Sequence, residues 1–98
     1  MNVFAVAMFV KDNQMDAQSW FSILTENRIP TLEEYEGMRL FELSGSDLEI
    51  CDEIFKNLNK GFDMDIRSMS VGDVVRIDRI NGTKYYRCSH GGWKQVIF

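Results

Sequence analysis

The feature that most restricts what this chain can fold into is Asn81-Gly82, set between two segments of alternating apolar residues, Val75 and Ile77 before it and Tyr86 and Cys88 after it. Asn-Gly is a strong hairpin signal, because a type I′ turn needs positive φ at both central residues. A two-residue loop at Asn81-Gly82 predicts Ile80 opposite Thr83, Asp78 opposite Tyr85, Ile77 opposite Tyr86, Arg76 opposite Arg87 and Val75 opposite Cys88. Alternation then places Val75, Ile77, Tyr86 and Cys88 on one apolar face, with Val74, Arg76, Asp78, Tyr85, Arg87 and Ser89 on the other. His90-Gly91-Gly92 predicts a second turn, and Trp93 to Phe98 a final strand.

The chain before the hairpin alternates between strand and helix patterns. Val3 to Val10 is apolar without interruption, as expected of a central strand covered on both faces. Asp12-Asn13 supplies a turn, and Asn13 with Asp16 suits a helix start. Ala17, Trp20, Phe21 and Leu24 fall on one helical face that ends near Asn27, and Pro30 closes the segment. Thr31 and Glu34 have capping-box spacing for a short helical turn stopped by Gly37, and Arg39 to Leu43 reads as a short strand. Ser46 and Glu49 repeat the capping box before a helix whose Leu48, Cys51, Phe55 and Leu58 share a face widened by Ile54. Asn59-Lys60-Gly61 stops it. Phe62, Met64 and Ile66 alternate with Asp63 and Asp65 as an extended lead into the hairpin.

The expected fold is therefore α+β over residues 1–98 as one domain: a small antiparallel or mixed sheet with a hairpin and meander at its end, packed against two main helices. At 98 residues and 45% hydrophobic content the chain can build one core. Its eight-residue apolar run is too short to span a bilayer, and it lacks the basic flank of a signal peptide. Two cysteines 37 positions apart make no secreted disulfide framework, so the expectation is a cytoplasmic protein with reduced thiols.

Charge divides the chain. Residues 1–65 hold 5 Lys/Arg and 13 Asp/Glu, residues 66–98 hold 6 and 2, and the net charge is −4. Arg76 and Arg87, with Arg79, Lys84, Lys94 and the stackable Tyr85, offer a basic face suited to an acidic protein partner or a phosphate backbone. Directly opposed arginines repel, so carboxylates of the same chain are the plainer reason for them. The opposite surface, Glu33, Glu34, Glu36, Asp47, Glu49, Asp52 and Glu53, is a solvated acidic face or an imitation of nucleic acid.

Catalytic and metal chemistry are weakly represented. Cys88 and His90 lie two positions apart, but the hairpin alternation turns Cys88 into the apolar face, where a thiol is inert. Cys51, Cys88 and His90 do not have zinc-site spacing, and Asp63-Met64-Asp65 lacks the rest of a calcium loop. Ser70-Val71-Gly72-Asp73 lacks the glycine and lysine of a phosphate loop; its Gly72 permits an unusual backbone angle, and its Asp73 suits bonds to turn amides.

Met69-Ser70-Val71-Gly72-Asp73-Val74-Val75, Tyr85-Tyr86-Arg87-Cys88 and Gly92-Trp93-Lys94-Gln95-Val96 closing at Phe98 together resemble the YodL-like domain, found in small proteins of conjugative elements and phage-related DNA of Gram-positive bacteria. The resemblance runs from about Phe62 to Phe98; Gly72 stands where that family usually has serine or another small residue, and Trp93 where it often has phenylalanine. It implies a mobile-element accessory role and transfers no catalytic residue. The expected function is a non-enzymatic interaction domain, without cofactor or metal, that binds a host or element-encoded protein through the basic hairpin. Direct nucleic-acid binding is less favoured, no membrane is involved, and the final strand's apolar edge suits a homodimer. The alternative is an anti-CRISPR or anti-restriction inhibitor acting through the acidic surface; least favoured is a small enzyme using Cys88 and His90.

Overall fold

The computed structural model describes residues 1–60 and 67–98, and the extended segment expected across Phe62 to Ile66 lies outside them. Five strands form one antiparallel sheet: β1 (Val3–Val10), β2 (Tyr35–Leu43), β3 (Val74–Arg79), β4 (Gly82–Ser89) and β5 (Gly92–Val96), in the spatial order β2-β1-β3-β4-β5. Helix α1 (Ala17–Leu24) packs on one face and helix α2 (Asp47–Leu58) on the other, which makes the fold α+β.

The uninterrupted apolar run becomes an inner strand because each face meets a different helix. Ala5, Ala7 and Phe9 cluster with Ile50, Cys51, Ile54 and Leu58 of α2 and with Val75 and Ile77. Met8 and Val10 cluster with Ile23 of α1, Tyr35 and Val74, and Trp20 packs against them. Full burial of side chains such as Phe9, Ile50, Ile54 and Ile77 contributes about 1.5–3 kcal/mol each.

Both helices are turned somewhat from the expected faces, although Cys51, Ile54 and Leu58 of α2 are buried as expected. In α2 the row Ile50, Ile54 and Leu58, spaced four residues apart, faces the two alanines, while Leu48 is exposed and Phe55 sits at the flank, edge-on to Trp93 at 6.3 Å. In α1, Ile23 and Trp20 meet the sheet, and Phe21 is largely exposed. The capping residues are as expected. Ser46 and Glu49 form a capping box, the Asp16 carboxylate accepts the Ser19 N–H at 2.7 Å, and Thr31 with Glu34 caps a single helical turn, Leu32–Glu34. β2 then starts at Tyr35 rather than Arg39, so Gly37 lies inside a strand, and Met38 is an extra residue between the pairs Ala7–Arg39 and Met8–Gly37.

The hairpin keeps the expected faces but slides by two residues. Arg79 pairs with Gly82, Arg76 with Tyr85, Val75 with Tyr86 and Val74 with Arg87, so Arg76 does not oppose Arg87. Ile80-Asn81 forms the loop, and Gly82 alone of the Asn-Gly pair has positive φ, at +137°. A type I′ turn is thereby excluded. A slide of two residues moves no side chain to the other face, so hydrophobic alternation is indifferent to it.

The corner before β3 ties the layers together. The fully buried Asp73 carboxylate accepts the Val10 N–H and the Ser70 N–H at 2.9 Å each, and Arg67 donates to both of its oxygens at 2.7 and 2.9 Å. The Arg67 guanidinium lies over the Phe9 and Trp20 rings. Gly72 has φ +98°, and a Cβ there would stand 2.5 Å from Ile23 Cγ2. The Tyr35 hydroxyl donates to Gly72 O at 2.6 Å.

Candidate functional site

The six basic-face residues do not form one surface. Strand alternation puts Arg79 and Lys84 on the α2 side of the sheet and Arg76, Tyr85, Arg87 and Lys94 on the α1 side. Arg79 donates to the Asp47 carboxylate and to Gly45 O, both at 2.9 Å. Arg76 pairs with Asp78 at 3.2 Å, and Arg87, only 7% exposed, pairs with Glu26 at 2.7 Å. Arg87 is thus a buried strut under the end of α1 and cannot offer its charge to a partner. The carboxylates of the chain answer these arginines, as the plainer reading expects.

The acidic set is dispersed as well. Glu34 and Glu49 close capping boxes, and Glu34 also binds Arg28. Burial raises the Asp47 pKa, but hydrogen bonds from the Tyr86 hydroxyl and Arg79 outweigh it and hold the carboxyl below its ordinary value. Tyr86 is pushed up to about 12, first by burial and then by that bond. Asp52 accepts the Trp93 indole N–H at 3.0 Å. Glu33, Glu36 and Glu53 remain exposed on three separate elements.

Cys88 and Cys51 are free and buried, and burial raises their thiols to about 11 and about 12. Both are far from the thiolate form a nucleophile needs. His90 Nε2 donates to Leu24 O at 2.9 Å, so this nitrogen is engaged in pinning the β4–β5 turn to α1. Among the described residues, no group of three or more His, Cys, Asp or Glu could hold a metal, and no helix is long and apolar enough to cross a membrane.

What the sequence reading missed is an open half of the α1-side sheet face. Eight residues of α1 cover Met8, Val10 and Val74. Beyond them the same face carries Phe4 at 52% and Leu40 at 63% exposure and half-buried Val96, joined to the covered part by half-buried Val6 and Tyr85, the latter edge-on to Phe98 at 5.0 Å. Val6 pairs with both Leu40 and Arg76, and Arg76 with Tyr85, so these side chains run as one row across β2, β1, β3 and β4. The Arg76–Asp78 ion pair lies in this surface. Helix length was the available signal: two turns cannot cover five strands.

Compared with protein-family models, with curated proteins and with solved structures, the chain matches none.

Proposed function

We propose that this chain is a non-enzymatic protein-binding module whose working surface is the open half of the α1-side sheet face, centred on Arg76 and Tyr85 and extended by Phe4 and Leu40. The observation that carries the reading is the pair of exposed apolar side chains, Phe4 and Leu40, next to a half-buried row of Val6, Arg76 and Tyr85 that holds a half-exposed ion pair. Contiguous exposed apolar surface rimmed by polar groups marks a protein contact site. Three of the hairpin arginines are already matched by carboxylates. A phosphate backbone is bound by cations that are free to replace its counterions, and this favours a protein partner over nucleic acid. The resemblance to the YodL-like domain adds the setting, a phage or other mobile element acting on a host or element-encoded protein.

The test is affinity capture from a bacterial lysate, with and without nuclease. The captured protein is expected to survive nuclease and to be lost with Leu40→Asp or Arg76→Glu, while reversal of Glu33, Glu36 and Glu53 leaves capture unchanged. Capture abolished by nuclease, or destroyed only by the acidic-surface reversal, overturns the reading.

A further inference from the structure

The two edges of the sheet are built differently. β2 is protected against pairing with another chain: it contains the Met38 bulge and carries Glu36, Arg39 and Glu42 along its length. β5 has neither device. Its one charge is Lys94, no described strand lies beyond it, and Ile97, which follows it, is 91% exposed.

We infer that β5 pairs antiparallel with β5 of a second copy of this chain, about a twofold axis at Gln95, to give a continuous ten-stranded sheet. A twofold axis perpendicular to a sheet keeps every side chain on its own face, so only registers that pair residues of like parity are allowed. Centring on Lys94 opposes two lysines. Centring on Gln95 instead sets Trp93 opposite Ile97 and Lys94 opposite Val96, and repeats both pairs by symmetry.

Each pair finds a matching surface. On the α2 side, Trp93 lies edge-on to Phe55 beside a shallow notch at the rim of the sheet. The exposed Ile97 of the second copy closes that notch. On the α1 side, Val96, the backbone at Ile97 and Phe98, whose ring meets Tyr85 edge-on at 5.0 Å, form one wall of an open cleft of about 520 Å³ whose other wall carries Glu33. Lys94 of the second copy, opposite Val96, reaches the Glu33 carboxylate, which has no ion pair among the described residues. Exposed apolar side chain and notch, and exposed cation and anion, are thus matched twice by one operation. This surface shares Val96 with the partner face proposed above but lies at the opposite end of the strand order from Phe4 and Leu40, so Leu40→Asp tests that face without touching this one.

The experiment uses the full chain. Sedimentation equilibrium is expected to show a dimer in the micromolar range, unchanged in Leu40→Asp. Lys94→Glu sets two carboxylates against each other at both symmetric sites and is expected to weaken dimerisation about tenfold or more, with Lys94→Glu/Glu33→Lys restoring it. Gln95→Cys, at the axis, is expected to form an intermolecular disulfide on mild oxidation much faster than Glu53→Cys on the outside of α2. Circular dichroism checks that each variant is folded. A monomer at every concentration, a Lys94→Glu dimer of unchanged strength, failure of the charge swap to restore association, or equal cross-linking of the two cysteine variants overturns the inference.

Discussion

Glu26 holds a left-handed backbone, φ +62°, and sets its carboxylate 2.7 Å from Nη1 of the buried Arg87. It sits just past the end of α1. The Asn27 N–H donates to Ser22 O and the Glu26 N–H to Ile23 O, the paired bonds of a Schellman stop. That position usually holds glycine, because left-handed backbone costs other residues about 1–2 kcal/mol. Arg87 supplies the reason for the exception: its guanidinium lies under the helix end and needs a carboxylate there.

The first prediction separates backbone from side chain. Glu26→Ala loses the ion pair and keeps the strained conformation, whereas Glu26→Gly loses the pair and relieves the strain. Glycine is therefore expected to be the milder replacement, the reverse of the order these two residues show inside a helix. Thermal unfolding midpoints of the two variants check it; a lower midpoint for glycine overturns it.

The second prediction concerns acid. The hydrogen bond from Arg87 is the main cause holding the Glu26 carboxyl below its ordinary value, and Arg28 does the same for Glu34. A carboxylate whose pKa is depressed by folding contributes stability that is present above its unfolded value and lost as pH falls through the folded one. Stability is thus expected to decline from about pH 4 downward. The decline should be shallower in Arg87→Met, as urea midpoints measured across acid pH would show.

The third prediction concerns the thiols. Burial raises Cys51 to about 12 and Cys88 to about 11, so both are protonated in the folded protein at neutral pH. Their contribution to stability is complete below the unfolded thiol value of about 8.5 and is lost as pH rises through the folded values. A disulfide reagent at pH 8 is expected to label both only at the rate of unfolding, with full labelling in denaturant. Fast labelling of Cys88 in the folded protein would restore it as a candidate nucleophile.

The fourth prediction addresses the corner. Asp73→Ala removes the acceptor of two backbone N–H groups and the partner of Arg67. Arg67 is part-exposed and keeps Asp12 at 3.2 Å, so the loss comes chiefly from the unsatisfied backbone N–H groups, about 1–3 kcal/mol for the buried Val10 N–H. Ser68→Ala, at an exposed position two residues before Ser70, is expected to change little. Denaturant unfolding of the two variants decides it.

The order of the elements was legible because it rests on local signals: the unbroken run of β1, the capping residues at Ser46 and Thr31, and the alternation on either side of Asn81. The rotation of α2 was not. Leu48 and Phe55 are as apolar as Ile50, and only the two alanines of β1 beneath the helix select the Ile50, Ile54 and Leu58 row. The hairpin register was hidden for a related reason, since sliding by two residues preserves both faces. The candidate surface was half legible. Arg76 and Tyr85 were visible from alternation, but Phe4 and Leu40 looked like ordinary strand residues until the short reach of α1 exposed them. Glu26 lay outside any pattern, because its role depends on an arginine 61 positions away.

Trp20 packs on the α1 side of the sheet and Trp93 on the α2 side, one indole in each layer. The fluorescence of this protein therefore comes from two reporters that share no packing environment. Replacing either tryptophan with phenylalanine leaves a probe that registers the loosening of one layer alone. Whether the two emission changes coincide or separate with denaturant is then a direct measure of how far the sheet makes the two halves of the core melt together.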